Sequence, residues 1–293
     1  MPLVALIAVT AVWGVTFVQV KDAVEIYPLY AFLAVRYAIA TGVLGAVGAR
    51  RVRTLGRGGF AAGAVLGGLL GLGIGLQTAG LERTTVSSTG FITGLYVVFT
   101  PLLGLVLFHT RVGLEVWLGI VLSVAGLAML SGVHVGSTEG DLLVLASSAA
   151  QALQILMVER YANRYDAVAL TLVELGTCLV GFLALALARG ELSVPRGWTV
   201  WGALVVTGVF ASALAYLIQV WAQRRLSAAR IALVFSLETV FAGLFGYWLS
   251  GDRLGWLGWG GCAAILAGIV LAEPAAGRAL RRLVGWRTLL LSD

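Results

Sequence analysis

Ten long apolar stretches run through the chain and leave almost no residues for an aqueous domain. A segment that crosses the hydrocarbon core must satisfy its own backbone hydrogen bonds, so only helices and closed barrels can span a membrane. These stretches are continuous rather than alternating in polarity, and each approaches the roughly 20 residues that a membrane helix needs. The sequence therefore predicts an all-α integral membrane protein with ten transmembrane helices. Spans 1 to 10 lie near 2–20, 28–49, 58–81, 86–108, 114–133, 141–158, 167–188, 198–221, 231–250 and 255–273.

The composition excludes a soluble globular domain. Apolar residues make up 60% of the 293 residues and charged residues only 12%, which is typical of multispanning membrane proteins. Cys178 and Cys262 fall inside spans without metal-like spacing, so neither a disulfide framework nor a metal site is predicted. No cofactor is predicted, and the chain has no Gly-x-x-x-x-Gly-Lys-Ser/Thr loop, which excludes direct use of ATP within it.

The basic residues predict how the chain is oriented. The net charge of +6 does not indicate a nucleic-acid partner, because the arginines are scattered over short loops that alternate in basic content. Fourteen basic residues fall on one side and five on the other, and the richer side is expected to be cytoplasmic. Both termini are therefore predicted to be cytoplasmic. The richer side carries Arg50, Arg51, Arg53, Arg57, Arg111, Arg160, Arg164, Arg224, Arg225, Arg230, Arg278, Arg281, Arg282 and Arg287.

Residues 77–130 recur without a gap at residues 219–272, with fourteen identities in 54 positions, among them Gln77 and Gln219. The two copies cover spans 3–5 and spans 8–10, which are five spans apart. Because five is odd, the second copy crosses the membrane in the opposite direction to the first. The sequence thus predicts two inverted five-helix repeats. The predicted units are 1–136, 137–273 and a basic cytoplasmic tail at 274–293.

An inverted repeat favours a secondary transporter. Two similar halves that rock about a central site give outward-open and inward-open states, and many transporters are built in this way. The competing interpretation is an old duplication that is retained only for packing.

Polar residues inside the spans predict where the pathway lies, because they are costly in a membrane and tend to face the bundle interior or water. They form stripes on spans 4, 6 and 8, with others on spans 1, 3 and 9, whereas spans 5 and 10 are almost purely apolar and should face lipid or a partner subunit. The alternative is that these side chains bond to their own helix or join helices together. The substrate-binding candidates are Trp13, Gln77, Thr89, Thr93, Tyr96, Gln151, Gln154, Tyr216, Gln219 and Glu238.

Two further patterns concern packing and bending. Glycines at every fourth position from Gly63 to Gly75 form a ridge that permits close helix approach. Pro101 in span 4 frees a carbonyl group, and its repeat mate in span 9 is Gly243. Both helices are therefore predicted to kink or act as gates at that depth.

Three charged residues are predicted within the membrane. Arg36 in span 2 and Glu174 in span 7 occupy equivalent positions in the two halves and are expected to form an ion pair, either structural or coupling. Glu238 lies in the middle of span 9, and its repeat mate is Tyr96. It is a candidate for carrying a proton or binding the amino group of a substrate, with a structural hydrogen bond as the alternative.

The order and spacing of several short motifs resemble the EamA type of the drug/metabolite transporter superfamily. The resemblance implies a ten-helix exporter of the bacterial cytoplasmic (inner) membrane, with cytoplasmic termini and a cavity lined by helices 1, 3, 4, 6, 8 and 9. Known substrates in that family include amino acids, related metabolites and drugs. The motifs are Trp13-Gly14-x-x-Phe17, Pro28 followed by Arg36, Pro101, and Gly-Asp-Arg-Leu at 251–254.

The predicted function is secondary transport, with export of amino acids or related small metabolites by alternating access. Export of drugs or toxic compounds and flipping of a lipid or quinone are the alternatives. An enzyme is not predicted, because the two histidines, His109 and His134, lie at loop edges. The expected partners are a small-molecule substrate and the lipid bilayer. Proton coupling and facilitated diffusion both stay open, as do a monomer and a homodimer.

Overall fold

The structure is a computed structural model that describes residues 2–110, 112–131, 138–249 and 255–272. Wherever the structure describes them, all ten predicted spans are helical, which confirms the all-α membrane fold. Among the described residues, eight helical stretches, some made of more than one of the helices named below, are long and apolar enough to cross a membrane, and α6 and α13 are shorter apolar helices. The tail at 274–293, the motif at 251–254 and the predicted unit boundaries near 136 and 273 lie outside the described residues.

The helices are α1 (Pro2–Ile26), α2 (Leu29–Gly48), a 3₁₀ helix (Ala49–Thr54), α3 (Gly56–Leu81), α4 (Val86–Gly94), α5 (Tyr96–Phe108), α6 (Leu114–Ser131), α7 (Thr138–Ala162), α8 (Ala167–Ala188), α9 (Trp198–Val205), a π-helix (Val206–Leu214), α10 (Ala215–Ala222), α11 (Ala228–Phe235), α12 (Leu237–Leu249) and α13 (Trp256–Leu271).

Spans 4 and 9 are each broken into two helices, α4 with α5 and α11 with α12. The breaks fall at Leu95 in span 4 and at Ser236 in span 9. They are one residue apart in the register of the repeat, because the repeat mate of Ser236 is Gly94. Gly94 is a weaker helix former than the residues around it, which favours a break beside it. Pro101 and Gly243, the predicted kink sites, lie inside α5 and α12, roughly two turns beyond these breaks.

Helices α6 and α13 pack on each other through two glycine contacts that demonstrate the inverted symmetry. A Cβ on Gly119 would lie 2.6 Å from the carbonyl oxygen of Gly268, and a Cβ on Gly126 would lie 2.6 Å from that of Gly261. Gly119 and Gly261 are repeat mates, and so are Gly126 and Gly268. One contact therefore maps onto the other when the halves are exchanged. The contact partner in α13 moves back from Gly268 to Gly261 as α6 runs forward from Gly119 to Gly126. The two helices are therefore antiparallel, as a two-fold axis in the membrane plane requires.

The glycine ridge of α3 packs against α8, and an equivalent contact recurs in the other half. A Cβ on Gly67 would collide with the carbonyl oxygen of Glu174, and a Cβ on Gly208 would lie 3.0 Å from the carbonyl oxygen of Arg36. Arg36 and Glu174 are equivalent in the two halves, so these are again symmetry-related contacts. The ridge thus lets two backbones touch, which is how small residues join helices in lipid.

The π-helix at Val206–Leu214 explains a shift in the repeat. Gly67 and Gly208 are 141 positions apart, whereas Gln77 and Gln219, farther along the same two spans, are 142 apart. One extra residue therefore lies between them in the second half. The wider turn of a π-helix accommodates that residue without breaking the span, and such segments are frequent at functional sites.

Candidate functional site

A cavity of about 50 Å³ lies between the two halves, bounded by α1, α2, α3, α7, α10 and α12. It runs from the middle of α1 towards the C-terminal ends of α1 and α3, the predicted non-cytoplasmic side. A volume of this size holds a few water molecules, whereas ligand pockets measure about 300–1,000 Å³. This conformation is therefore nearly closed, and a substrate requires a wider one. The lining residues are Trp13, Thr16, Phe17, Val20, Arg36, Ile74, Gln77, Thr78, Leu81, Gln151, Tyr216 and Glu238.

Five of the ten predicted binding residues line this cavity, and the other five lie behind it. Span 4 was predicted to line the cavity but does not, and span 2, which was not predicted to line it, contributes Arg36 to the wall. The threonine stripe of span 4 does not face the cavity. One of its hydroxyl groups, that of Thr89, bonds within its own span instead, because it donates to the carbonyl of Thr85 at 2.9 Å. Thr93 supports the wall from behind by accepting a 3.0 Å hydrogen bond from the Gln77 amide. The five that line the cavity are Trp13, Gln77, Gln151, Tyr216 and Glu238, and the five behind it are Thr89, Thr93, Tyr96, Gln154 and Gln219.

Gly14 positions two of the lining residues. A Cβ at Gly14 would lie 2.8 Å from the carbonyl oxygen of Glu238 and 2.7 Å from the backbone nitrogen of Ala242. Only glycine allows α1 and α12 to approach so closely. This contact between backbones brings Trp13 and Glu238, from the two halves of the chain, to the same cavity.

Trp13 is held by the π-helix and by two aromatic rings. Its indole nitrogen donates a 2.9 Å hydrogen bond to the carbonyl oxygen of Ala211. The ring centroid lies 4.8 Å from that of Phe235, edge to face, and 5.9 Å from that of Tyr216. The indole is therefore fixed in orientation and presents a rigid apolar wall to the cavity.

Arg36 does not pair with Glu174. The Nε atom of Arg36 donates a 2.9 Å hydrogen bond to the hydroxyl of Ser212 in the π-helix, whereas Oε1 of Glu174 accepts from the Gln154 amide at 2.7 Å. Among the described residues no ion pair joins Arg36 to Glu174, so the predicted contact is wrong. Helix α2 turns Arg36 towards the cavity, and α8 turns Glu174 towards α7. The remaining guanidinium donors of Arg36 are thus available to the cavity.

Glu238 lies against its own repeat mate. The Tyr96 hydroxyl is 3.5 Å from Oε2 of Glu238, at the limit of a hydrogen bond. Two equivalent residues can touch only close to the axis that relates the halves, so this pair marks the centre of the molecule. The carboxyl group of Glu238 borders the cavity, and its weak bond to Tyr96 leaves acceptor capacity for a ligand.

A layer of amide side chains closes the cavity on the predicted cytoplasmic side. The Gln219 amide donates to Oε1 of Gln154 and to Oε1 of Gln223, each at 3.0 Å. Gln223 donates in turn to the carbonyl of Ile155 at 2.8 Å, and Gln154 donates to Glu174. This chain joins α7, α8 and α10 one turn below Gln151 and Tyr216, which explains why Gln154 and Gln219 do not reach the cavity.

Contacts at the two ends of the bundle complete the closure. At the predicted cytoplasmic end, Arg224 donates to the carbonyls of Ala162 and Tyr165 at 2.9 and 2.7 Å. At the other end, the Tyr27 hydroxyl donates to the carbonyl of Ser193 at 2.7 Å. Burial raises the pKa of the Tyr27 phenol despite this bond, so the hydroxyl stays a donor at neutral pH.

Sequence reasoning missed the apolar part of the cavity wall. Val20, Ile74 and Leu81 line it, but nothing distinguishes them from the apolar residues that face lipid. The partner of Arg36 was also missed, although Ser212 stands out as a hydroxyl within an apolar span. Among the described residues, no group of three or more His, Cys, Asp or Glu side chains is placed to hold a metal ion.

The comparisons with known proteins agree with this architecture. The model of the EamA-like transporter family matches residues 1–132 and again residues 138–272. The chain belongs to this family. Two five-helix halves in one chain are thus two copies of the family's unit, and the protein is a membrane transporter of this type.

Relatives and a solved structure extend the likeness. An uncharacterized transporter of Archaeoglobus fulgidus is 28% identical over 268 residues, which cover 90% of this chain and 83% of the relative. An uncharacterized transporter of Synechocystis sp. is 27% identical over 67% of this chain and 66% of its own length. A crystal structure aligns with 95% of this EamA-like chain and 98% of its own, with a TM-score of 0.76 and 20% identity. At that identity the structural likeness shows the fold alone.

Proposed function

We propose that the protein exports small zwitterionic metabolites, amino acids first among them, by alternating access. The observation that carries the proposal is the presence of Arg36 and Glu238 in the wall of one central cavity. A guanidinium group binds a carboxylate through paired hydrogen bonds, and a carboxylate binds an ammonium group. An amino acid carries both groups and can bridge the two residues once the cavity widens.

The other lining groups fit the same class of ligand. Gln77 and Gln151 place amide groups beside the charged residues, and Trp13 with Tyr216 supplies the apolar wall. The near-closed volume supports an occluded state of a transport cycle. Opening of the amide layer formed by Gln154 and its neighbours exposes the cavity to one side, and separation of α1 from α3 exposes it to the other.

Direct transport measurements test this proposal. The purified protein is reconstituted in liposomes, and counterflow of a panel of radiolabelled amino acids is measured with and without a pH gradient. We expect at least one zwitterionic amino acid to exchange, and its decarboxylated amine to exchange more slowly, because the amine cannot engage Arg36. Absence of exchange for the whole panel contradicts the proposed substrate class.

Export of a cationic drug is the second candidate, and the aromatic residues around Glu238 favour it. Trp13, Tyr216 and Phe17 line the cavity beside this carboxyl group, and aromatic faces attract organic cations. A cationic amphiphile is therefore included in the panel. Faster exchange of that compound than of any amino acid would assign the protein to drug export. Flipping of a lipid or quinone is tested in the same liposomes with a fluorescent lipid.

We further propose that both termini face the cytoplasm of a bacterial cell, because fourteen of the loop arginines lie on their side of the membrane. Cysteine labelling measures this. Cys178 and Cys262 are buried, so they give little background. A membrane-impermeant maleimide applied to spheroplasts is expected to label Val194→Cys, which is exposed at the opposite end. It should label Thr54→Cys only after permeabilisation, and the reverse pattern contradicts the orientation.

A further inference from the structure

Glu174 is a fully buried carboxyl group outside the cavity wall, and its hydrogen bonding is half complete. Its side chain has no solvent exposure. Oε1 accepts from Gln154 at 2.7 Å, but Oε2 is buried without a hydrogen-bond partner. An ionised carboxylate has two oxygens that both require donors, and an unpaired buried charge is strongly destabilising. The geometry around Oε2 therefore suits the neutral, protonated acid.

The neighbouring groups do not neutralise Glu174 in any other way. On α2, Arg36 is bonded to Ser212 and Tyr37 keeps its own buried hydroxyl without a partner. On α10, Tyr216 faces the cavity, and on α8 itself Cys178 donates to the carbonyl of Gly67 at 3.2 Å. Helix α3 packs there through glycine, and α7 contributes the neutral amide of Gln154. Arg36 is thus the one charged group among these neighbours of Glu174, and its side chain is turned towards Ser212.

The position of Glu174 links it to the movement of the bundle. It ends the amide chain that runs through Gln154 and Gln219 to Gln223, and this chain seals the predicted cytoplasmic side of the cavity. An opening on that side must break the link between Gln154 and Gln219. Water then reaches Glu174, and the hydrated carboxyl group can ionise.

We propose that Glu174 is a proton-binding site that couples transport to the proton gradient, protonated in the closed conformation described here and ionised when the cytoplasmic side opens. The step is an exchange of one proton between Oε2 and water, with no other bond made or broken. A proton taken up from the outer side is released inside before the substrate binds there, and the substrate is then carried outward, so the proton and the substrate cross in opposite directions, which is antiport. This coupling rests on the proposed export function, whereas the proton site itself does not.

Infrared difference spectroscopy across a pH jump tests the site without any substrate. The wild-type protein is expected to show the C=O band of a buried protonated carboxylic acid. Glu174→Gln, which keeps an oxygen acceptor for Gln154, should lose that band. Glu25→Gln changes an exposed carboxyl group and should leave it unchanged. A band of full intensity in Glu174→Gln overturns the proposal.

Liposome measurements test the coupling. With an amino acid that the wild-type protein exchanges, we expect Glu174→Gln to keep counterflow within about threefold and to lose stimulation by a pH gradient. Retained stimulation contradicts coupling through Glu174. If the wild-type protein moves no compound in the panel, the proposed substrate class fails while the infrared result still decides the proton site.

Discussion

Replacing Gly261 by alanine is expected to destabilise the protein by about 1–3 kcal/mol, the usual cost of forcing extra atoms into a packed interface. The new Cβ would lie 2.6 Å from the carbonyl oxygen of Gly126 and 2.9 Å from the backbone nitrogen of Leu130. Backbone atoms cannot rotate away as a side chain can, so α13 must separate from α6. Thermal unfolding in detergent, followed by tryptophan fluorescence and by size-exclusion chromatography, measures the effect.

The neighbouring residue supplies a matched control. A Cβ on Gly260 meets only the terminal methyl group of Met129, at 2.9 Å, and that flexible end can move. Because alanine favours a helix over glycine by up to about 1 kcal/mol, Gly260→Ala is expected to be neutral or stabilising. Gly119→Ala, at the repeat mate of Gly261, should destabilise as Gly261→Ala does. Equal stability of the Gly260 and Gly261 variants would contradict the close crossing of α6 and α13.

Arg36→Gln and Glu238→Gln are each expected to weaken transport of an amino acid by about 10- to 100-fold. A hydrogen bond to a charged group contributes about 1.5–3 kcal/mol, and each 1.4 kcal/mol corresponds to roughly tenfold in affinity. Arg36→Gln removes the partner of the substrate carboxylate, and Glu238→Gln removes the partner of the ammonium group. Concentration dependence of counterflow measures both variants.

Substrate analogues distinguish binding from general damage. An amine without a carboxylate should be insensitive to Arg36→Gln, and a carboxylic acid without an amine should be insensitive to Glu238→Gln. Ser212→Ala removes the hydroxyl that holds Arg36 but keeps both charges, so its effect should stay within a few-fold. Losses that do not depend on the analogue would show that the two residues support the fold rather than the ligand.

The fold followed from the sequence because a membrane restricts the options. The spans were recognisable from apolar length, and their antiparallel arrangement from an odd spacing between repeat copies. The repeat also includes two glycines in span 5 that recur in span 10, but the repeat did not reveal that these glycines bring α6 and α13 into contact. Both spans are predicted to face lipid or a partner subunit, and their outer faces, with Val121 and Val270, are exposed. The packing of α6 on α13 through glycine adds to that prediction.

The site was only partly predictable. Trp13, Gln77, Gln151, Tyr216 and Glu238 have polar or aromatic groups that stand out in an apolar span, and all five line the cavity. The threonines of span 4 stand out equally, yet Thr89 and Thr100 donate their hydroxyl groups to carbonyls of the same span, those of Thr85 and Tyr96. A one-dimensional pattern cannot separate a polar group that faces a cavity from one that is satisfied by its own helix.

The amino-acid pattern is enough to show that this chain spans a membrane as two inverted halves, with Arg36, Glu174 and Glu238 within it. The roles of these residues emerge from the packing of the helices, because a charge inside a membrane takes its function from the groups that surround it. A π-helical turn gives Arg36 a hydroxyl partner beside the cavity, and Gly14 brings Glu238 to the same cavity. Glu174 is turned away, to the end of an amide chain with one oxygen unpaired. These differences depend on helix rotation and on contacts between residues far apart in the chain, which no local pattern records.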